Sequence, residues 1–206
     1  FEAQWRQADG LFYRWPYFVY NPWVNGKTNF EWLADHIGSL GIRRVAADIE
    51  VKKAGYSPAD YAAEVDGFTF LVHESGNLAI YTGGWFLPIL SRWPTDCDYW
   101  WARYPNSMYP ADSQNVTWEE LYMKVQTLTW SPGPTPGPCE VWQCSGDRFK
   151  LPGSNARVID VNLFHGPRTE LAAWVGEEAP VHDSWKWDVT LAVRDLGGVV
   201  RDPIED

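Results

Sequence analysis

Short apolar runs alternate with longer stretches of helical spacing through the first half of the chain. Residues 1–10 carry a helical pattern, and Tyr17-Phe18-Val19-Tyr20 reads as a strand closed by Asn21-Pro22. Phe30, Leu33 and Ile37 recur on one helix face, which predicts an amphipathic helix over residues 29–40, ended near Gly38 and Gly41. A strand over residues 42–50 follows. Ser57-Pro58-Ala59-Asp60 joins an N-cap residue to a first-turn proline, so a helix starts there and runs to about residue 73. Gly76-Asn77 turns into a strand at Leu78-Ala79-Ile80-Tyr81-Thr82, and residues 85–90 fit a short helix.

Beyond residue 96 the pattern changes. Strands over residues 99–104, 141–144 and 158–161 are separated by loops rich in proline and glycine, with few helical signals. The segment Ser131-Pro132-Gly133-Pro134-Thr135-Pro136-Gly137-Pro138 lacks the donors for a ladder or a helix and predicts a surface connection. Strand–helix alternation followed by strands with little helix between them predicts an α/β fold, a barrel that is incomplete or degraded.

A length of 206 residues fits one domain with a substantial core. No apolar stretch approaches the roughly 20 residues of a membrane-spanning helix, so no membrane partner is expected. The net charge is −10 and no basic run is present, which argues against nucleic acid. Three cysteines, an odd count, do not build a disulfide scaffold, and the four histidines show no zinc spacing, so neither a metal nor another cofactor is expected. The aromatic content does change the picture: 14 Trp, 10 Tyr and 9 Phe. Most such rings serve a core. The surplus favours a carbohydrate groove, because sugar C–H faces lie flat on indole and phenol rings while hydroxyls bond to the Trp N–H and Tyr O–H.

Candidate chemistry sits in Asp48-Ile49-Glu50, which closes the strand over residues 42–50. Side chains two apart on a strand project the same way. Two neighbouring carboxylates resist double ionisation, so one tends to keep a proton, as a general acid must. Taken alone, the triplet also fits a strand that simply ends in solvent.

Four segments, in order, resemble the family 25 glycoside hydrolases, lysozymes that cut peptidoglycan. They are Val45-Ala46-Ala47-Asp48-Ile49-Glu50, Leu78-Ala79-Ile80-Tyr81-Thr82, Trp101-Ala102-Arg103-Tyr104, and the pair Val141-Trp142-Gln143 with Val158-Ile159-Asp160-Val161-Asn162-Leu163-Phe164-His165-Gly166. The resemblance covers residues 1–166 and implies a TIM-like barrel of five strand–helix units followed by three strands. Residues 167–206 lie outside it, as a C-terminal extension or linker in which residues 188–193 can form a strand. The implied activity is hydrolysis of the β-1,4 bond between N-acetylmuramic acid and N-acetylglucosamine, retaining and substrate-assisted. The implied location is extracellular or phage-borne, acting on the bacterial cell wall.

By the same resemblance, Glu50 protonates the leaving oxygen, Asp48 orients the acetamido group, and Asp160 is a further active-site carboxylate. Tyr81 and Trp101 line the sugar site, with Tyr17 and Gln143 as additional contacts. The competing role for Asp160 is a turn residue capping Asn162, and for Trp101 and Trp142 it is barrel core. The family's first two strands, one with an active-site Asp, have no counterpart here. The chain is therefore expected to be part of a longer polypeptide, in keeping with its start at Phe1-Glu2-Ala3 without Met or signal peptide. Tyr17-Phe18-Val19 also replaces the common Tyr-His-Phe, and Cys144 the Tyr after Trp-Gln. Two other functions stay open: a non-catalytic carbohydrate-binding or phage structural barrel, and a chitinase-like glycosidase. The second lacks its usual additional Asp, because Ala46 occupies that position.

Overall fold

The computed structural model describes residues 6, 15–75, 77–152, 158–175 and 189–192. The helix expected over residues 1–10 falls largely outside the described residues. The chain is α/β, with one eight-stranded sheet, mostly parallel, and few helices.

The first unit is β1 (Tyr17–Val19) and α1 (Gly26–Ile37), followed by β2 (Arg44–Asp48), α2 (Pro58–Ser75), β3 (Asn77–Gly83) and β4 (Asp98–Ala102). These four strands are parallel neighbours in chain order. β5 (Gln114–Asn115) pairs at the side of β6 (Cys139–Lys150), with α3 (Trp118–Gln126) between them in sequence. β6 continues the parallel run beside β4. β7 (Ile159–Phe164), α4 (Arg168–Val175) and β8 (Val189–Ala192) complete the order, with β7 and β8 added antiparallel. Among the described residues, no strand pairs the outer edge of β1.

Local chemistry sets several of these boundaries. α1 starts three residues before the expected residue 29 because the Asn25 side chain accepts the Thr28 N–H at 2.8 Å and caps it. α2 opens where expected, with the Ser57 hydroxyl accepting the Asp60 N–H. α3 carries a full capping box between Thr117 and Glu120, a signal present in Thr117-Trp118-Glu119-Glu120 that the expectation of few helices here overlooked. Residues 85–90 form only a 3₁₀ turn, Leu87–Ile89. The proline-rich segment over residues 131–138 is neither strand nor helix.

β2 is shorter than expected. It ends at Asp48, so Glu50 lies beyond the ladder and strand alternation does not fix its direction. Ile49 stays tethered by its N–H to the Tyr81 carbonyl and is fully buried under α2.

One face of the sheet is covered by helices. Val45, Ala47, Leu78, Ile80, Tyr99 and Trp101 pack against α1 and α2, and Trp142, Cys144, Ile159 and Val161 pack against α3. The other face is apolar only in part: Ala46, Tyr81, Trp100, Ala102 and Val141, joined by Trp15 and Trp174. α4 closes the end of this face where the parallel strands begin. The Trp174 indole donates to Asp98 at 2.8 Å and packs edge-on against Trp15. Arg44 pairs with the same carboxylate at 2.5 Å and lies over the Trp174 ring. Segment 167–206, expected as an extension or linker, thus supplies a plug and an edge strand to the same sheet.

α1 and α2 cross at Gly26. A methyl group there would lie 2.3 Å from the Glu64 carbonyl oxygen and 2.7 Å from the Phe68 nitrogen, both backbone atoms. Gly26→Ala is therefore expected to push the helices apart and destabilise the fold by at least the ~1–3 kcal/mol of an overpacked core. A urea midpoint equal to that of the parent chain would contradict this crossing.

Candidate active site

Register places the polar residues of five strands on a common face. Val19 pairs with Asp48, Asp48 with Tyr81, and Tyr81 with Trp100. Ala102 pairs with Gln143, and Gln143 with Asn162. Paired positions in a ladder project to the same side, and alternate positions along each strand repeat it. Asp48, Gln143, Asp160 and Asn162 are all buried on this face, away from α1, α2 and α3. Asp48 ends β2 while Asp160 opens the antiparallel β7. Both therefore stand at the end where the parallel strands terminate, opposite the Trp174 plug.

Hydrogen bonds tie the group together. Gln143 Oε1 accepts from the Tyr81 hydroxyl at 2.8 Å and from the Tyr104 hydroxyl at 2.7 Å. Trp100 Nε1 donates to Asn162 Oδ1 at 2.7 Å, and the Asp147 N–H donates to Asp160 Oδ1 at 3.3 Å. Burial pushes the Tyr81 hydroxyl far above the usual phenol range, and Tyr104 and the carboxylates Glu50 and Asp48 push it further. Tyr81 is thus a neutral donor, with both acidic side chains in electrostatic reach. Gly146 closes the circuit. A methyl group at this position would sit 2.8 Å from the Tyr104 hydroxyl and 3.4 Å from Asp160 Oδ1, so those two groups flank one small gap.

Aromatic rings rim the carboxylates. Tyr104 stacks on Tyr109 with centroids 4.9 Å apart, Trp85 lies 6.1 Å from Tyr104, and the Arg148 guanidinium covers the outer face of the pair at 4.1 Å from Tyr109. Trp85 and Tyr109 are exposed. Gly83 has no side chain because the Trp85 ring occupies that space. Tyr17, 45 % exposed, lies on the same sheet face through its pairing with Ala46.

Of the residues expected at the site, Asp48, Asp160, Tyr81 and Gln143 share one face and one end, and Glu50 follows directly. Trp101 does not join them. It is 2 % exposed within the helix-covered core, edge-on to Tyr99, so it offers no surface to a sugar. Its neighbour Trp100 holds the site face instead, against Tyr81 at 5.0 Å. Trp142 is likewise core under α3. Tyr104, Trp85, Tyr109 and Asn162 were missed as site residues. Tyr104 and Asn162 lay inside the matched segments, but nothing in their spacing marked a role.

Comparisons with protein-family models, with curated proteins and with solved structures find no match for this chain.

The Gln143 amide is the acceptor on which two hydroxyls converge. Gln143→Met keeps the volume and removes that acceptor, stranding the buried Tyr81 hydroxyl. The expected loss is about 1–3 kcal/mol, the desolvation cost of an orphaned buried donor. Tyr81→Phe in the same background should restore part of it, because it removes the orphan; a urea-denaturation cycle without such coupling would contradict the network.

Proposed function

We propose that this chain is a peptidoglycan hydrolase that cleaves the β-1,4 bond between N-acetylmuramic acid and N-acetylglucosamine. The observation that carries the proposal is that Asp48 and Asp160, distant in sequence, are buried on one sheet face and linked across it by Tyr81, Gln143 and Tyr104. A structural role for these acids gives no reason to gather them at the strand termini, where α/β barrels collect catalytic groups. In the finer description of the fold, residues 1–166 supply the third to eighth strands of the five-unit-plus-three-strand barrel to which the motifs point, incomplete at its N-terminus.

In this reading Glu50, half-buried just past β2, donates a proton to the glycosidic oxygen as the bond breaks. The carbonyl oxygen of the substrate's own acetamido group attacks the anomeric carbon, and the aglycone leaves as the alcohol. Asp48, more deeply buried, orients the acetamido N–H and balances the positive charge of the oxazolinium ion. Glu50, now the carboxylate, accepts a proton from the water that opens this ring, which restores both groups and retains configuration. Asp160 adds negative potential across the gap at Gly146, and the Tyr81 hydroxyl holds the Gln143 amide in place. Tyr104, Trp85 and Tyr109 offer ring faces to the neighbouring sugars.

Glu50→Gln keeps size and hydrogen bonding without the titratable proton. Lysis of bacterial walls, followed as turbidity loss, is expected to slow by ~10²–10⁴-fold, the usual share of a general acid, with an unchanged circular dichroism spectrum. Lysis at the parent rate would reject the mechanism. New reducing ends on muramic acid are the expected product; new ends on glucosamine alone would move the assignment to a chitinase-like reaction.

A further inference from the structure

At the end of the sheet away from the carboxylates, three unlike donors meet. His73 lies in the last turn of α2, and Asp96 and Cys97 lie immediately before β4. One ligand atom from each is within 4.8 Å of the other two. Cys97 is a free, buried thiol, Asp96 is exposed, and His73 is half-buried. His73 Nε2 is enclosed, and among the described residues it has no hydrogen-bond partner. An enclosed ring nitrogen left this way is unfavourable, and a bond to a ligand would relieve it.

We propose that His73, Asp96 and Cys97 form a binding site for a divalent cation of the zinc class. Sulfur and imidazole donors select zinc and its borderline neighbours over magnesium or calcium, which take oxygen ligands. A tetrahedral ion with bonds of ~2.0–2.3 Å holds its donors roughly 3.5 Å apart. Side-chain rotations of about an ångström would therefore close this triad.

The charges agree. Binding releases the Cys97 proton to solvent, and thiolate, carboxylate and neutral imidazole together balance a dication. The surroundings carry negative charge before a cation arrives: Asp96 and Asp98 flank Cys97 in sequence, and the C-terminal end of α2 adds its partial negative charge. Asp98 itself is engaged by Arg44 and Trp174, so it stands outside the ligand set. The exposed Asp96 leaves the fourth position to water. Such an ion would clamp the end of α2 to the entry of β4. This proposal does not depend on the glycosidase assignment, because its readout is metal binding alone.

The test uses the untagged full chain, stripped with chelator and kept reduced. Titration with cobalt(II) chloride should give one ion per chain and a near-ultraviolet thiolate-to-cobalt charge-transfer band, displaced by zinc chloride. Zinc should also raise the thermal transition. Cys97→Ser should abolish the band, while Cys139→Ser keeps it. His73→Gln and Asp96→Asn should weaken cobalt binding by more than ~tenfold, since even outer-shell partners contribute that much. A folded parent chain without the band overturns the proposal, as does a band that persists in Cys97→Ser. If Cys97→Ser does not fold, the surface change Asp96→Asn decides: unchanged affinity overturns the site.

Discussion

Everything in this molecule hangs on side-chain alternation kept in register across adjacent strands. From Val19 through Asp48, Tyr81 and Trp100, the pairs stay on one side of the sheet, and the next residue of each strand goes to the other. The helix-covered side can then be almost wholly apolar, with the Thr82 hydroxyl satisfied by the Ile49 carbonyl. The opposite side can gather acids and amides without placing any of them under α1, α2 or α3. A register slip of one residue between β2 and β3 would exchange Asp48 for Ala47 and bury a carboxylate beneath α2. The hydrophobic cost of that exchange locks the site geometry.

The two ends of the polar face do different work. Where the strands begin, Trp15, Trp174, Arg44 and Asp98 form a plug whose single shared carboxylate satisfies both an indole and a guanidinium. Where they end, Gln143 satisfies two tyrosines, Asp160 stands beside the Gly146 gap, and Asp48 closes β2 next to Tyr81. One end is closed by packing, and the other is kept polar and rimmed by rings. That division separates stability from chemistry within one sheet, so the acids need not be balanced by the groups that hold the fold together. Holding Asp48 in a buried place nevertheless costs solvation, which the neighbouring donors must offset.

Much was legible in the sequence because it is local. The periods of 2 and 3.6 marked β1, β2, β3, β4, α1 and α2, and Ser57-Pro58 fixed a helix start by capping alone. Asp48 and Glu50 were visible because adjacent carboxylates at the close of an apolar run are uncommon. Asp160, Tyr81 and Gln143 came from motif resemblance, since nothing local to any of them points to the others. β8 was foreseen as a strand, but its place against β7 was not.

What tertiary structure alone decided was direction and company. Tyr99, Trp100 and Trp101 are three bulky rings in succession, so apolar patterning cannot say which of them faces the site. Pairing with β3 settles it: Trp100 lies beside Tyr81, and Trp101 beside Thr82 in the covered core. Likewise the β2 ladder stops at Asp48, level with the end of β1 although β3 runs on to Gly83, which leaves Glu50 outside the ladder despite the even spacing. Tyr104, Gly146 and Asp160 meet only because β6 and β7 fold back on each other, and His73 meets Cys97 only because α2 returns beside β4. The sequence by itself determined which segments are strands and helices, since those preferences act within a few residues. Which side chains share a face or a site was set by strand register and long-range closure, energies that no local window contains.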